Sequence, residues 1–281
     1  MRLLLAAAAP LAILGLAAPA HADHHAEMAA VSPDAFATVL ADARRDEDRA
    51  RDEFRNPAET LAFFGVQPGQ TVAEYAPGGG WYTRVIAPYV GTTGKYVGLN
   101  FGPGGMVPAG MTDRLNAFPD TFGPQVVEQT GIPAENVSAF ITTQAGEATD
   151  GTVDRVLIVR MMHNLMRWGI ADTELMAMRR MLKDDGMVGI VQHMAPEGMP
   201  FDMTNGSKGY LKKSDVIKTM ELAGFELAAE SFVNANPRDT ADYEGGVWTL
   251  PPRLSQGDTD RARYEAIGES NRMTLLFKKA K

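Results

Sequence analysis

The sequence has 281 residues, 27 of them basic and 35 acidic, for a formal net charge of −8, and it contains no cysteine. The acidic balance argues against nucleic acid and anionic membranes as partners. The lack of thiols excludes a disulfide scaffold, a thiol nucleophile and a thiolate metal site.

The chain opens with Arg2, an uncharged apolar stretch from Leu3 to Leu16, and Ala20-His21-Ala22, a small-x-small cleavage pattern. This reads as a secretory signal peptide over residues 1–22, cleaved after Ala22. The apolar stretch is shorter than the roughly 20 residues that a spanning helix needs. A periplasmic or secreted product without a membrane span is expected. Its new terminus, Asp23-His24-His25, can wrap a cupric ion through the free amine and the third-position histidine, a feature incidental to the fold. No metal site is expected in the folded part.

Residues 23–60 read as a polar N-terminal helical arm. Ser32 is placed as N-cap and Pro33 at the first helical position, with Phe36, Val39, Leu40 and Ala43 as an apolar stripe. The next turns alternate in sign from Arg44 to Arg49, the pattern of a solvated, salt-laced face. Asn56-Pro57 then stops this helix and starts a second.

Residues 61–281 read as one Rossmann-like domain. Seven strand candidates follow one another at 71–76, 95–101, 137–143, 153–162, 186–194, 225–233 and 272–280. Helical patterns lie between several of them, at 171–182 with Asp172 as cap and at 214–224 with Ser214 as cap. Such alternation implies an α/β fold with a mainly parallel sheet covered by helices. The last two strands are expected to be joined by a long polar stretch, 236–271, with no helix in it.

The segment "EYAPGGGWYT", residues 74–83, sets a glycine turn between the first strand and a helix. It fails the dinucleotide fingerprint, which needs glycine where Thr83 stands. A phosphate-binding loop at 89–96 fails as well, because Tyr89 replaces its first glycine and Tyr96 its Ser or Thr. Strand, acid, tight glycine turn and helix is the arrangement of class I S-adenosylmethionine-dependent methyltransferases.

The run "RARDEFRNPAETLAFFGVQPGQTVAEYAPGGGWYTRVIAPYVGTTGKYVG" resembles one family in particular, the exported predicted methyltransferases of bacteria. They carry an R-D-x-x-R-x-P-A-E-x-L-x-F-x-G-x-x-P-G arm just before the glycine loop. Further landmarks are "VLIVRMMHNL", "MRRMLKDDGMVGIVQH", "AGFELAAES" and "NANPRD", so the likeness covers nearly all of the chain after the signal segment. The chain departs from the family at Asn100, where an acid often ends the second strand, and at Met162-His163-Asn164 in place of Y-H-D. It departs again at Gln192-His193 in place of D-H and at Leu211-Lys212-Lys213 in place of L-H-R.

The resemblance implies a seven-stranded class I methyltransferase architecture with S-adenosylmethionine as cofactor. In the turn, Ala76, Gly78 and Gly80 are expected to let the backbone approach the methionine part of the cofactor. Glu74 is expected to attract the ligand's ammonium group, directly or through water. Asn100 can bond the ribose hydroxyls through its amide, and Glu147 stands where related folds contact adenine. His163 and His193, after the fourth and fifth strands, are the candidates for positioning the acceptor or removing its proton. Arg160 and Tyr210 are singled out by position alone. Trp81 and Tyr82 read equally as core packing or as a lid. The function expected is methyl transfer to a small or envelope-associated acceptor. The alternative is a non-catalytic exported protein that keeps the crevice as a ligand-binding site.

Overall fold

The fold is described from a computed structural model, which covers residues 31–91 and 93–281. The signal segment, the Asp23-His24-His25 terminus and the start of the arm lie outside the described residues.

Eight strands form one sheet: β1 Thr71–Tyr75, β2 Lys95–Asn100, β3 Val137–Ile141, β4 Val153–Val159, β5 Leu182–Ala195, β6 Leu211–Lys212, β7 Phe225–Ser231 and β8 Arg272–Lys279. Seven of them run in the order β3-β2-β1-β4-β5-β8-β7, and all seven sequence candidates are there. The addition is β6, two residues long and paired with the end of β5. Neighbours are parallel except β8, which runs antiparallel between β5 and β7. The strand order reverses beside β1, and an open α/β sheet places its ligand crevice at the C-terminal ends of the strands at such a point.

Strand alternation sorts the core into two layers. Val72 faces an apolar cluster with Phe36, Leu61, Phe64 and the helix Thr83–Val90. Ala73 and Tyr75 face the opposite cluster, shared with the helices Ala171–Met181 and Lys213–Leu222. Phe36 and Leu61 are fully buried, so the arm completes one layer of the core.

Between β2 and β3 lies a 19-residue helix, Thr112–Thr130, with Pro119 and Pro124 inside it. Proline removes a helical hydrogen bond and crowds the preceding turn, so tertiary packing must hold this helix together. Phe118 and Phe122 stack with their ring centres 4.7 Å apart and press on β2. A Cβ on Gly98 would meet the Phe122 ring at 2.4 Å, so the sheet admits the helix because residue 98 has no side chain.

The arm corrects the expectation of one long helix. Ser32 and Pro33 do start a helical segment, but it ends after Leu40, and short turns at Ala43–Arg45, Arg49–Arg51 and Asp52–Arg55 follow. Asp42 adopts an extended backbone and accepts a hydrogen bond from the Arg44 N–H at 2.9 Å, the side-chain competition that breaks helices. The charged stretch is a solvated face in part: Arg44, Asp46, Glu47 and Arg49 are exposed, as expected. Arg45 and Asp48 are buried; Arg45 pairs with Asp52 at 2.8 Å, and Arg84 forks onto both oxygens of Asp48 at 2.6 and 2.8 Å.

Three further expectations change. Ile170 rather than Asp172 precedes the helix Ala171–Met181, and Asp172 falls in its first turn. Lys212 rather than Ser214 occupies the cap of Lys213–Leu222, while the Ser214 hydroxyl donates to Glu197 at 2.5 Å. The connection from β7 to β8 does contain a helix, Arg261–Ile267. Among the described residues no helix is long and apolar enough to cross a membrane.

Candidate active site

β1 ends at Tyr75 and the chain turns through Ala76-Pro77-Gly78-Gly79-Gly80. Residues 76, 78 and 80 all take positive φ, at 50°, 60° and 79°. Glycine accepts these angles freely, whereas Ala76 pays about 1–2 kcal/mol for one of them. The Ala76 N–H donates to the Leu99 carbonyl at 2.7 Å, tying the turn to the end of β2. At Gly80 a Cβ would lie 2.9 Å from Oε1 of the exposed Gln129, whose side chain would have to shift, and the backbone angle is what requires glycine there.

Beside the turn is a cavity of about 320 Å³. Ala76, Pro77 and Gly78 form one wall, and Asn100 and Phe101 form the floor at the end of β2. Leu115, Phe118 and Phe122 of the long helix face Met161, Asn164 and Trp168, which follow β4. The walls combine apolar and aromatic side chains with the turn's backbone, the amides of Asn100, Gln125 and Asn164, the Thr121 hydroxyl and the Arg114 guanidinium. That is the usual make-up of a small-molecule site.

Of the expected site residues, Ala76, Gly78 and Asn100 lie on this wall. Gly80 supports the turn from behind. Glu74 shares the face of Val72, under the helix Thr83–Val90, where its Oε2 accepts from Thr83 Oγ1 at 2.8 Å and Tyr96 OH at 2.7 Å. Its carboxyl is 3% exposed and bonded inward, away from the cavity. Burial pushes it up to about 7, against those two hydrogen bonds. Glu147 is exposed on a short turn after β3, off the cavity wall. Trp81 resolves as packing: it is buried between Arg45 and Arg55, whose guanidinium carbons lie 5.4 and 4.8 Å from its ring, and its indole N–H donates to the Asp48 carbonyl.

The histidines form a second, polar group over β4 and β5, off the cavity wall. His163 and His193 are buried with ring centres 6.0 Å apart. Gln192 uses its Nε2 to donate to the Gly209 carbonyl at 2.8 Å and so presents Oε1 to His163 Nδ1 at 3.3 Å. An amide oxygen only accepts, so His163 carries its proton on Nδ1 and leaves Nε2 as a free base. Burial holds His163 down to about 4, and His193 falls well below its ordinary value for the same reason, so both rings are neutral at pH 7. His193 Nδ1 lies 2.6 Å from Ser270 Oγ. Tyr210 packs edge-on to His193 and donates its hydroxyl to the Asp239 carboxylate at 3.0 Å.

No family model matches this sequence, and no curated protein matches it. Solved structures do. The geranyl diphosphate C-methyltransferase of Streptomyces coelicolor A3(2), solved with Mg2+, geranyl diphosphate and S-adenosyl-L-homocysteine, aligns with a TM-score of 0.54 at 13% identity. The match covers 86% of this chain and 88% of that one. A geranyl diphosphate methyltransferase in complex with S-adenosylmethionine aligns with 0.53 at 13% identity, over 87% of this chain and 95% of that one. The cyclase SpnF aligns equally well, with 0.53 at 13% identity over 80% of each chain. This chain has the class I methyltransferase fold.

Sequence reasoning missed most of the cavity. The aromatic wall of Thr112–Thr130 is hidden behind two prolines; Met161 lies in the landmark "VLIVRMMHNL" but has no polar group to mark it, and Trp168 lies in no motif. A second omission is a group of arginines, Arg51, Arg55 and Arg272, gathered on Glu269 beside the histidines. Their only signal was the R-D-x-x-R spacing of the arm.

Proposed function

We propose that this chain is an exported S-adenosylmethionine-dependent methyltransferase acting on a small or envelope-associated acceptor. The observation that carries the proposal is the cavity itself. It lies at the C-terminal ends of β1, β2 and β4, between a turn of three positive φ angles and an aromatic wall. The residues present fit the cofactor: the turn offers bare backbone for the methionine end, the Asn100 amide on the cavity wall can bond ribose hydroxyls, and Phe101, Phe118 and Trp168 suit a flat heterocycle. When bound, the cofactor supplies an electrophilic methyl group. The chain's own task is then orientation, exclusion of water by the aromatic wall and, for a protonated acceptor, proton removal by His163 Nε2. Export rests on the pattern of residues 1–22.

A second reading, ligand binding without transfer, is favoured by Asn100. Its Oδ1 already accepts from the Phe101 N–H at 3.0 Å, which leaves one lone pair and the amide donor for a ribose and no carboxylate charge to strengthen them. Calorimetry and turnover separate these outcomes. S-adenosylhomocysteine at a hundredfold excess over its Kd should stabilise the protein by about 2.7 kcal/mol, or roughly 5–11 °C in Tm for a chain of this size. Transfer from labelled S-adenosylmethionine to envelope extract supports the enzyme; binding without transfer supports the second reading. No heat and no Tm shift with either compound at millimolar concentration would remove the cofactor from both.

A further inference from the structure

The arginines over β4, β5 and β8 outnumber their counter-charge. β8 begins at Arg272, which pairs in register with His193 of β5. Arg160 follows β4, and the arm delivers Arg51 and Arg55 from more than two hundred residues away in sequence. The carboxylate bonded to them is Glu269: Arg51 Nε lies 3.0 Å, Arg55 Nε 3.1 Å and Arg272 Nη2 3.0 Å from its oxygens. Glu269, Arg55 and Arg272 are all buried. Three guanidinium groups thus converge on one carboxylate, with a fourth beside them.

That fourth group, Arg160, makes no side-chain hydrogen bond or ion pair among the described residues. Its backbone sits at φ 57°, an angle that a non-glycine residue holds only where its surroundings impose it, and such strain gathers at ligand sites. Desolvation of this half-buried side chain, and after it the charge of Arg272, lowers its guanidinium to about 10, against the attraction of Glu269. Arg55 repeats the pattern: its Nη2 is buried and has no hydrogen-bond partner. Buried like charges are costly unless an opposite charge meets them. A guanidinium fork matches the paired oxygens of a carboxylate or phosphate.

We infer that this cluster is an oxyanion site and that it holds the carboxylate or phosphate group of the methyl acceptor. The acceptor assignment rests on the methyltransferase reading above; the oxyanion site rests on the guanidinium geometry alone. Arg160 directly precedes Met161 on the cavity wall and stands three residues before His163, so an acceptor anchored by its anion is brought toward that base and toward the donor cavity together.

Calorimetry with inorganic phosphate and with acetate tests this on the full mature protein, with S-adenosylhomocysteine titrated in parallel. One of the two anions should bind at a single site, and the tighter of them names the group. Arg160→Gln and Arg51→Gln should each weaken it roughly tenfold or more, the loss expected for one charge-assisted hydrogen bond. Both should leave S-adenosylhomocysteine binding unchanged, which also certifies the fold. Failure of both anions to bind at millimolar concentration, or wild-type affinity in both variants, overturns the oxyanion site and leaves the methyltransferase reading standing. Anion binding as expected without any S-adenosylhomocysteine binding keeps the site and overturns its assignment to a methyl acceptor.

Discussion

The cavity over β1 and β2 and the cluster over β4, β5 and β8 lie at the same end of the sheet and are built from different materials. The first is walled by aromatic and aliphatic side chains, and its polar points are a strained backbone turn, neutral amides, Thr121 and a single arginine, Arg114. The second is a knot of guanidinium groups around one carboxylate, with two histidines kept neutral beside it. One half suits a ligand with a flat heterocycle; the other suits one defined by negative charge. The contrast locates the energy differently as well. On the cavity side it is stored in backbone angles, and on the cluster side in buried charge, so the two halves should fail differently when mutated.

The largest effect belongs to the charged half. Glu269→Gln leaves Arg51, Arg55 and Arg272 without their carboxylate, and uncompensated buried charge typically costs about 3–5 kcal/mol. Urea denaturation should show a loss of that size. The same variant should bind phosphate more tightly than wild type, because nothing then competes for the guanidinium groups. A variant that loses stability and gains no phosphate affinity would leave the cluster purely structural.

A second effect tests the inward carboxyl beneath the glycine turn. Glu74 has a carboxyl at about 7 in the folded protein against 4.5 unfolded. The folded value is the higher, so the native state holds the proton longer and stability falls as pH rises from 4.5 to 7. Above pH 7 this costs on the order of 3 kcal/mol. His163, depressed to about 4, acts in the other direction, contributing stability above pH 6.5 that is lost as pH falls toward 4. The wild-type profile therefore mixes opposing slopes, but Glu74→Gln subtracts only one. Its stability relative to wild type should rise by about 3 kcal/mol between pH 4.5 and pH 8; a flat difference would mean that the carboxyl titrates normally.

Much of this contrast follows from sequence distance. β1 to β5, β7 and β8 were legible because each is a short β-branched or apolar run bounded by turn residues, and the glycine turn lies within seven residues of chain. The helix Thr112–Thr130 was not, because Pro119 and Pro124 read as breakers while the packing that rescues it, Phe122 against Gly98, joins residues 24 apart. Glu74 stands in the expected place in sequence, but strand alternation turns it to the covered face. The cluster was the least legible part. Arg51 and Glu269 are 218 residues apart, and the arm's charges look solvated until the partner surface is known.

On the cavity side, Gly80→Val should abolish the ligand-induced stabilisation of about 2.7 kcal/mol. A side chain there meets the Gln129 Oε1 at 2.9 Å and resists a φ of 79°. Phosphate affinity should stay at the wild-type value, since the cluster lies over other strands. Equal loss of both ligands would make the two halves one site.

The smallest effect separates strain from packing within the turn. Ala76 has φ 50°, where an alanine is disfavoured by about 1–2 kcal/mol and a glycine is not. Glycine in turn loses about 0.5–1 kcal/mol more chain entropy on folding. The difference leaves Ala76→Gly stabilised by up to about 1.5 kcal/mol, the reverse of the usual sign. Ala87→Gly, in the helix Thr83–Val90, is the contrasting case: the backbone is helical, no strain is relieved and a fully buried methyl group is lost as well, so a loss of more than about 1 kcal/mol is expected. Paired denaturation curves with opposite shifts would establish that the turn carries strain. Calorimetry then decides what the strain is for. If Ala76 pre-shapes the wall for the cofactor, Ala76→Gly should be more stable yet bind S-adenosylhomocysteine more weakly, because a freer turn has more to lose on ordering. Gains in both would mean that the alanine serves neither fold nor ligand.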